Sequence, residues 1–223
     1  MAADQKTYLA PITEEFSRQW PDTPIVNLVC HGHSVPAGYT SNSMVKPFDA
    51  YPHQLHRMLK DRFPYAMINV IVTAIGGENA ILGCGRFERD VLSHRPELLT
   101  IDYAMNDRFL DPAAVESAWR RMVETALRKN IKVILVTPTM DCGAEYYNRA
   151  DIKADLPQLR QMIWDLADEY KVGLADAYAA FERALAQGRG IMELLAGLNH
   201  PSAEGHRLVA CELLRWFPFY PKE

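Results

Sequence analysis

The sequence predicts an α/β fold in which helices cover both faces of a parallel sheet. Apolar runs of strand length alternate with helical patterns along the chain, and no hairpin signal such as Asn-Gly joins neighbouring apolar runs. The 223 residues suffice for one sizeable core and are marginal for two. We therefore expect a single domain over residues 1–223.

The predicted sheet has five strands. The first is the apolar run that begins at residue 25 and stops at Gly32, and a polar, turn-rich stretch follows it at residues 40–49. The second run is dominated by β-branched side chains, which favour a buried strand, and Gly76-Gly77 stops it. The second to fifth strands are predicted at residues 67–75, 98–104, 132–137 and 172–176.

Helical patterns lie between and after these strands. The long helix predicted at residues 112–130 is amphipathic, with proline near its start and asparagine at its end, as helix termini favour. The predicted helices cover residues 50–62, 85–94, 112–130, 151–170, 177–187 and 203–217.

Composition and charge exclude several classes of partner. The net charge of −4 leaves no basic stripe to neutralise phosphates, so we expect no nucleic-acid partner. The first residues lack the basic and apolar regions of a secretory signal, and no apolar run is long enough to span a bilayer. The prediction is a cytoplasmic protein, with an exported form whose signal has been trimmed as the alternative.

The four cysteines are predicted to be free thiols. Cys30, Cys84, Cys142 and Cys211 are widely spaced and form no C-x-x-C pair.

Ser34 is the first candidate nucleophile. It follows a buried strand that stops at Gly32, so a sharp turn would place its hydroxyl at the carboxyl edge of the sheet, where open α/β folds build their sites. A hydroxyl is a poor nucleophile until a positioned base takes its proton. His200, in an Asn-His-Pro sequence near the far end, is the candidate base.

Two further residues could stabilise an oxyanion, which acyl transfer by a hydroxyl requires. The backbone of Gly77 can approach a ligand closely because no Cβ intervenes. The side-chain amide of Asn106 donates hydrogen bonds without adding charge. Both follow predicted strands directly, so they share an edge of the sheet with Ser34.

Four stretches of the chain resemble, in order, the motif blocks of the SGNH (GDSL-type) hydrolases. Residues 32–39, Gly-His-Ser-Val-Pro-Ala-Gly-Tyr, resemble the first block, Gly-Asp-Ser-(Ile/Leu)-Thr-x-Gly. Residues 74–79, Ala-Ile-Gly-Gly-Glu-Asn, resemble the second, and residues 104–107, Ala-Met-Asn-Asp, the third, Gly-x-Asn-Asp. Residues 200–207, His-Pro-Ser-Ala-Glu-Gly-His-Arg, are similar to the last. Their order and spacing make the resemblance specific.

This resemblance implies a three-layer α/β/α sandwich of flavodoxin-like topology and a serine esterase. It implies Ser34 as nucleophile, His200 as base, and an oxyanion hole made of the Ser34 and Gly77 amides with the Asn106 side chain. We expect cofactor-free hydrolysis of a small acyl ester, favouring an acetyl ester, with a carbohydrate or a similar polar scaffold as one carrier of the acyl group. The alternatives are a non-catalytic ligand-binding protein, or a lysophospholipase, thioesterase or acyltransferase of the same family.

Three positions depart from the family pattern. The aspartate before the nucleophile is His33 here, and the glycine of the third block is Ala104. The position usually held by the triad acid, three residues before the histidine, is Gly197.

The missing acid leaves two alternatives for the histidine. A triad acid fixes the imidazole tautomer and stabilises the imidazolium. Either a backbone carbonyl accepts the His200 Nδ1 proton, leaving a Ser–His dyad, which we favour, or a carboxylate comes from elsewhere. Glu193 is the nearest in sequence, and Asp141 and Glu145 follow the fourth strand.

A zinc site is the alternative interpretation of the His-x-His pair, His31 and His33. The pair has metal-ligand spacing, and His200 or Asp107 could complete a ligand set. No motif determines that third ligand. The prediction is therefore that the chain holds no metal.

The aromatic residues at the C-terminus are predicted to pack against the core, with an exposed share available for contact with a second copy. We thus expect a small-molecule ester as substrate and a homo-oligomer as one possible assembly. These aromatic residues are Trp216, Phe217, Phe219 and Tyr220.

Overall fold

The computed structural model describes residues 2–41, 43–142 and 151–219. This part of the chain contains a five-stranded sheet in the order β2-β1-β3-β4-β5, and every neighbouring pair is parallel. The predicted α/β class and parallel sheet are confirmed, and the strand order is the flavodoxin-like one. The strands are β1 (Ile25–Gly32), β2 (Met67–Val72), β3 (Leu98–Asp102), β4 (Lys132–Val136) and β5 (Gly173–Ala175).

Helices cover both faces of this sheet. The longer ones are α3 (Tyr51–Arg62), α7 (Pro112–Leu127), α8 (Leu156–Tyr170), α9 (Ala177–Ala186) and α11 (Ala203–Leu214). The shorter ones are α1 (Ala10–Glu15), α2 (Ser34–Ala37), α4 (Ala80–Gly85), α5 (Phe87–Asp90), α6 (Ala104–Asp107) and α10 (Ile191–Leu194). In one layer α11 packs against α3 and α9, and in the other α7 packs against α4 and α8.

The core lies on both sides of the central strands. All five residues of β3 are buried, as expected for a parallel strand covered on both faces. Trp119 of α7 is fully buried in one helical layer. At the C-terminus, Trp216 and Phe217 are buried, and Trp216 Nε1 donates to the Leu174 carbonyl at 3.0 Å. These two aromatics pack as predicted, and a homo-oligomer stays a prediction.

One predicted helix, at residues 85–94, is wrong in its extent. The structure has α4 ending at Gly85, then α5, then a 3₁₀ turn at Leu92–His94. The helical stretch begins early because the Asn79 side chain accepts the Leu82 N–H at 3.1 Å and caps α4. It is interrupted because Arg86 leaves the helical conformation, with φ −109° and ψ 6°.

Other boundaries shift where local hydrogen bonds override the apolar pattern. The helix predicted from residue 151 begins at Leu156, because Asp155 and Gln158 form a capping box. The strand predicted to residue 75 ends at Val72, although Thr73 N and Ile75 N still donate to the carbonyls of β1. The helices α1, α2, α6 and α10 were not predicted, because four to six residues show no usable periodicity.

The cysteines and the hydropathy agree with the sequence analysis. Cys30, Cys84, Cys142 and Cys211 are free thiols. In the described ranges, no helix combines the length and the apolar character needed to cross a membrane. The single domain over residues 1–223 stays a prediction.

Truncation of Leu99 in β3 tests the location of the core. Leu99 is fully buried, so Leu99→Ala should lower the free energy of unfolding by about 2–5 kcal/mol. Leu82→Ala is the matched control, because Leu82 is 57% exposed and its truncation should change the value by less than about 0.5 kcal/mol. Urea denaturation measures both, and equal losses would contradict the described core.

Candidate active site

Ser34 lies where the chain leaves β1 and begins α2. The strand order makes β1 the point at which the chain changes direction across the sheet, and such points form the ligand crevice of open α/β folds. Gly32 pairs with Asp102 of β3, and a Cβ on Gly32 would collide with the Asp102 carbonyl and the Pro36 ring. Glycine thus allows the close packing that directs the following turn and places Ser34.

His200 meets Ser34 across 166 positions of sequence, with 2.9 Å between His200 Nε2 and Ser34 Oγ. A short bridge between Leu195 and Pro201 shapes the loop, and Ala196 N donates to the His200 carbonyl at 2.8 Å. The Tyr39 ring stacks beside the imidazole at an interplanar angle of 29°, with 6.4 Å between centroids. Burial lowers the pKa of His200 below its usual value. Its neutral, proton-accepting form is therefore favoured.

The candidate acids lie elsewhere. Glu193 accepts from Arg189 Nε at 2.8 Å and from the Gly190 amide at 3.2 Å, and Asp141 forms an ion pair with Arg108 at 2.7 Å. Glu145 falls outside the described residues.

Steric crowding explains why Gly197 carries no acid. A side chain there would meet Ser41, with 2.5 Å between the two Cβ atoms. In the described part of the chain, the His200 ring makes one hydrogen bond, the one to Ser34, so neither a carboxylate nor a carbonyl is seen on Nδ1. The identity of a third member stays a prediction.

Gly77 and Asn106 lie beyond the ends of the strands that flank β1. Gly77 follows β2 with φ +79°, in the left-handed region that favours glycine. Asn106 lies in α6, after β3, and its Nδ2 donates to the Glu78 carbonyl at 2.6 Å. This bond ties the loop of Gly77 to α6 and leaves the second N–H of the Asn106 amide for another acceptor.

Asp107, next to Asn106 in α6, also connects α6 to the loop of Gly77. It is buried, and its carboxylate accepts the Ala80 N–H and the Trp119 indole N–H, each at 2.8 Å. Burial raises its pKa to about 6, although both N–H donors favour the ionised form. Asp107 therefore anchors the Gly77 loop to α7.

The rings of His31 and His33 have different partners. His31 Nδ1 lies 2.9 Å from Thr73 Oγ1, and its Nε2 lies 3.0 Å from the Tyr103 hydroxyl. His33 Nε2 lies 3.3 Å from Asp102 Oδ1. No group of three or more metal-ligating side chains is found in residues 2–41, 43–142 and 151–219. His31 and His33 therefore belong to separate sets of polar contacts.

Asp102 lies beside the candidate site and was missed by the sequence analysis. It is buried at the carboxyl end of β3, beside the turn that carries Ser34. A charged residue ending an otherwise apolar strand was the available signal, because such a side chain needs a buried partner.

The sequence over residues 30–208 matches the GDSL-like Lipase/Acylhydrolase family. The chain belongs to this family. It is a carboxylic ester hydrolase, and the resemblance noted in its four motif blocks is confirmed. No curated protein matches the sequence significantly.

Solved structures share the fold of this GDSL-like hydrolase. A variant of Axe2, an acetyl-xylooligosaccharide esterase from Geobacillus stearothermophilus, has a TM-score of 0.74 and 20% identity, covering 87% of this chain and 95% of that one. A two-domain esterase active on acetylated mannans has a TM-score of 0.74 and 21% identity over 97% of this chain and 57% of its own. A GDSL-like lipase from Parabacteroides merdae has a TM-score of 0.73 and 17% identity, covering 86% and 95%.

Substitution of Gly77 in this hydrolase tests the backbone of the loop. Nothing lies within 4 Å of a Cβ added at Gly77, so Gly77→Ala should cost about 1–2 kcal/mol from its positive φ alone. Gly85→Ala is the control, since that site is equally open and ends a helix without positive φ. Chemical denaturation measures both, and equal stability of the two variants would contradict the described backbone.

Proposed function

We propose that this hydrolase removes acetyl groups from a carbohydrate by nucleophilic catalysis, with Ser34 as nucleophile and His200 as general base. The distance of 2.9 Å between His200 Nε2 and Ser34 Oγ carries the proposal. A nucleophile and base at hydrogen-bond distance form the unit that activates a hydroxyl. The lowered pKa of His200 supports it, because the base must be neutral to accept the proton.

The reaction follows from this pair. Ser34 Oγ attacks the acyl carbon while its proton passes to His200 Nε2, and the carbonyl π electrons move to oxygen. Collapse of the tetrahedral intermediate breaks the C–O bond to the sugar, and the departing sugar oxygen takes the proton from His200 to become a hydroxyl. Water then enters by the same steps and releases acetate from Ser34.

Three donors would stabilise the oxyanion in this mechanism. They are the Ser34 N–H, the Gly77 N–H and the free N–H of the Asn106 amide. Neither backbone N–H has a hydrogen-bond partner among the described residues. Donors already in place cost no reorganisation when charge develops, and removal of one such donor typically costs about a hundred- to a thousandfold in rate.

The choice of an acetylated carbohydrate rests on the structural neighbours. Two act on acetylated xylan fragments and acetylated mannans, as described above. Catalytic mutants of Axe2 replace a serine and a histidine with alanine, which supports the same pair of residue types here. A longer acyl chain, a thioester or an alcohol acceptor are the other outcomes of a substrate screen.

Replacement of Ser34 tests the assignment. Ser34→Ala should reduce turnover of p-nitrophenyl acetate and of acetylated xylo-oligosaccharide by several orders of magnitude, because no nucleophile remains. Ser93→Ala is the control, because that hydroxyl is exposed and donates to the Arg89 carbonyl. Comparable turnover by folded Ser34→Ala would refute the mechanism, and a clear preference for an octanoyl ester would refute the acetyl assignment.

The pH profile tests the state of His200. Since burial lowers its pKa, kcat/KM should rise with pH through a midpoint below about 6.5, the ordinary value for histidine. Glu193→Gln should leave that midpoint in place, because the carboxylate is engaged by Arg189. A midpoint above this value, or a large loss of activity in folded Glu193→Gln, would show that a carboxylate supports His200 after all.

A further inference from the structure

His33 lies buried beside Ser34 and has two partners of different kinds. Its Nδ1 accepts the Val35 N–H at 3.2 Å, and its Nε2 lies 3.3 Å from Asp102 Oδ1. A ring nitrogen that accepts a hydrogen bond carries no proton, so the proton of the neutral ring is on Nε2, the nitrogen beside the carboxylate. A carboxylate beside Nε2 favours the tautomer of His33 that can accept from Val35.

With this tautomer, one amide of the first turn of α2 is occupied and another remains free. The Val35 N–H is taken by His33, and Pro36 has no N–H to offer. The Ser34 N–H has no partner within the described residues. A free N–H at the start of a helix is the donor that a developing oxyanion needs.

The same contact affects the hydroxyl of Ser34. Its Oγ lies 3.4 Å from His33 Nδ1 and 2.9 Å from His200 Nε2. Because the Val35 N–H already occupies the lone pair of His33 Nδ1, the better acceptor for the hydroxyl proton is His200. His33 therefore leaves the Ser34 proton directed to the proposed base.

We propose that His33 is a positioning residue for Ser34, held in its working tautomer by the buried carboxylate of Asp102. The proposal rests on Ser34 being the nucleophile. It also accounts for the departure from the family pattern at this position. An imidazole can accept from Val35 in only one neutral tautomer, so a histidine here needs a partner that selects it.

Two substitutions of His33 separate its two contacts. In His33→Asn the amide oxygen lies near the position of Nδ1 and can still accept from Val35. In His33→Gln the amide reaches toward Asp102 and no acceptor remains at the Nδ1 position. We expect kcat within about threefold of wild type for His33→Asn and a loss of about tenfold for His33→Gln, with little change in KM. Equal kcat values for the two variants would overturn the proposal.

Asp102 is tested by a double-mutant cycle. Asp102→Asn should lower kcat about tenfold in the wild-type background, because His33 can then adopt the other tautomer. In the His33→Asn background it should change kcat by less than about twofold, because no tautomer remains to be selected. Equal losses in the two backgrounds would show that Asp102 does not act through His33.

Ser34→Ala, measured in the same assay, keeps the two proposals apart. Activity in that variant would overturn the nucleophile, whereas an inactive Ser34→Ala with a fully active His33→Gln would overturn only the positioning role. Denaturation midpoints identify the variants that are folded. If His33→Gln does not fold, the double-mutant cycle with Asp102→Asn tests the positioning role of His33, because it requires only the asparagine variants.

Discussion

The proposed site depends on the close pairing of β1 with β3 at the carboxyl edge of the sheet. Gly32 lies opposite Asp102, and the next residue, His33, donates its backbone N–H to the Asp102 carbonyl at 3.1 Å. Because no side chain separates the strands at Gly32, the chain can turn directly into α2 and carry Ser34 over the sheet. The end of β3 then leads into α6 and Asn106. If β1 and β3 were farther apart at this edge, Ser34 and the Asn106 amide would lie on separate surfaces.

His33 and His200, the two histidines beside Ser34, are held in place by different groups. His33 Nε2 lies beside the Asp102 carboxylate, and His33 Nδ1 accepts the backbone N–H of Val35. His200 has Ser34 at hydrogen-bond distance from Nε2, the Tyr39 ring beside it, and a loop held by backbone hydrogen bonds. In the usual triad one carboxylate orients the base itself. Here the Asp102 carboxylate lies beside His33 instead, and His200 is supported by the packing of Tyr39 and by its own loop.

Strand positions were predictable because a parallel strand covered on both faces is apolar along its whole length, as in β3. The long helices were predictable from their periodicity. The start of α4 was not, because it depends on one side-chain cap, that of Asn79. Ser34, His200, Gly77 and Asn106 were selected by residue type and order along the chain. Asp102 was missed, because its partner His33 can be recognised only when β1 and β3 are seen side by side.

The sequence by itself determined the fold class, the family and the residue types of the candidate site, since apolar patterning and ordered motifs are properties of the chain. The tertiary structure decided which of these residues meet. It brought His200 to Ser34, directed Glu193 to Arg189, and paired His33 with Asp102. The physical reason is that a hydrogen bond acts over about 3 Å, whereas its partners here lie up to 166 positions apart. Only the register of the strands and the path of the loops determine such distances.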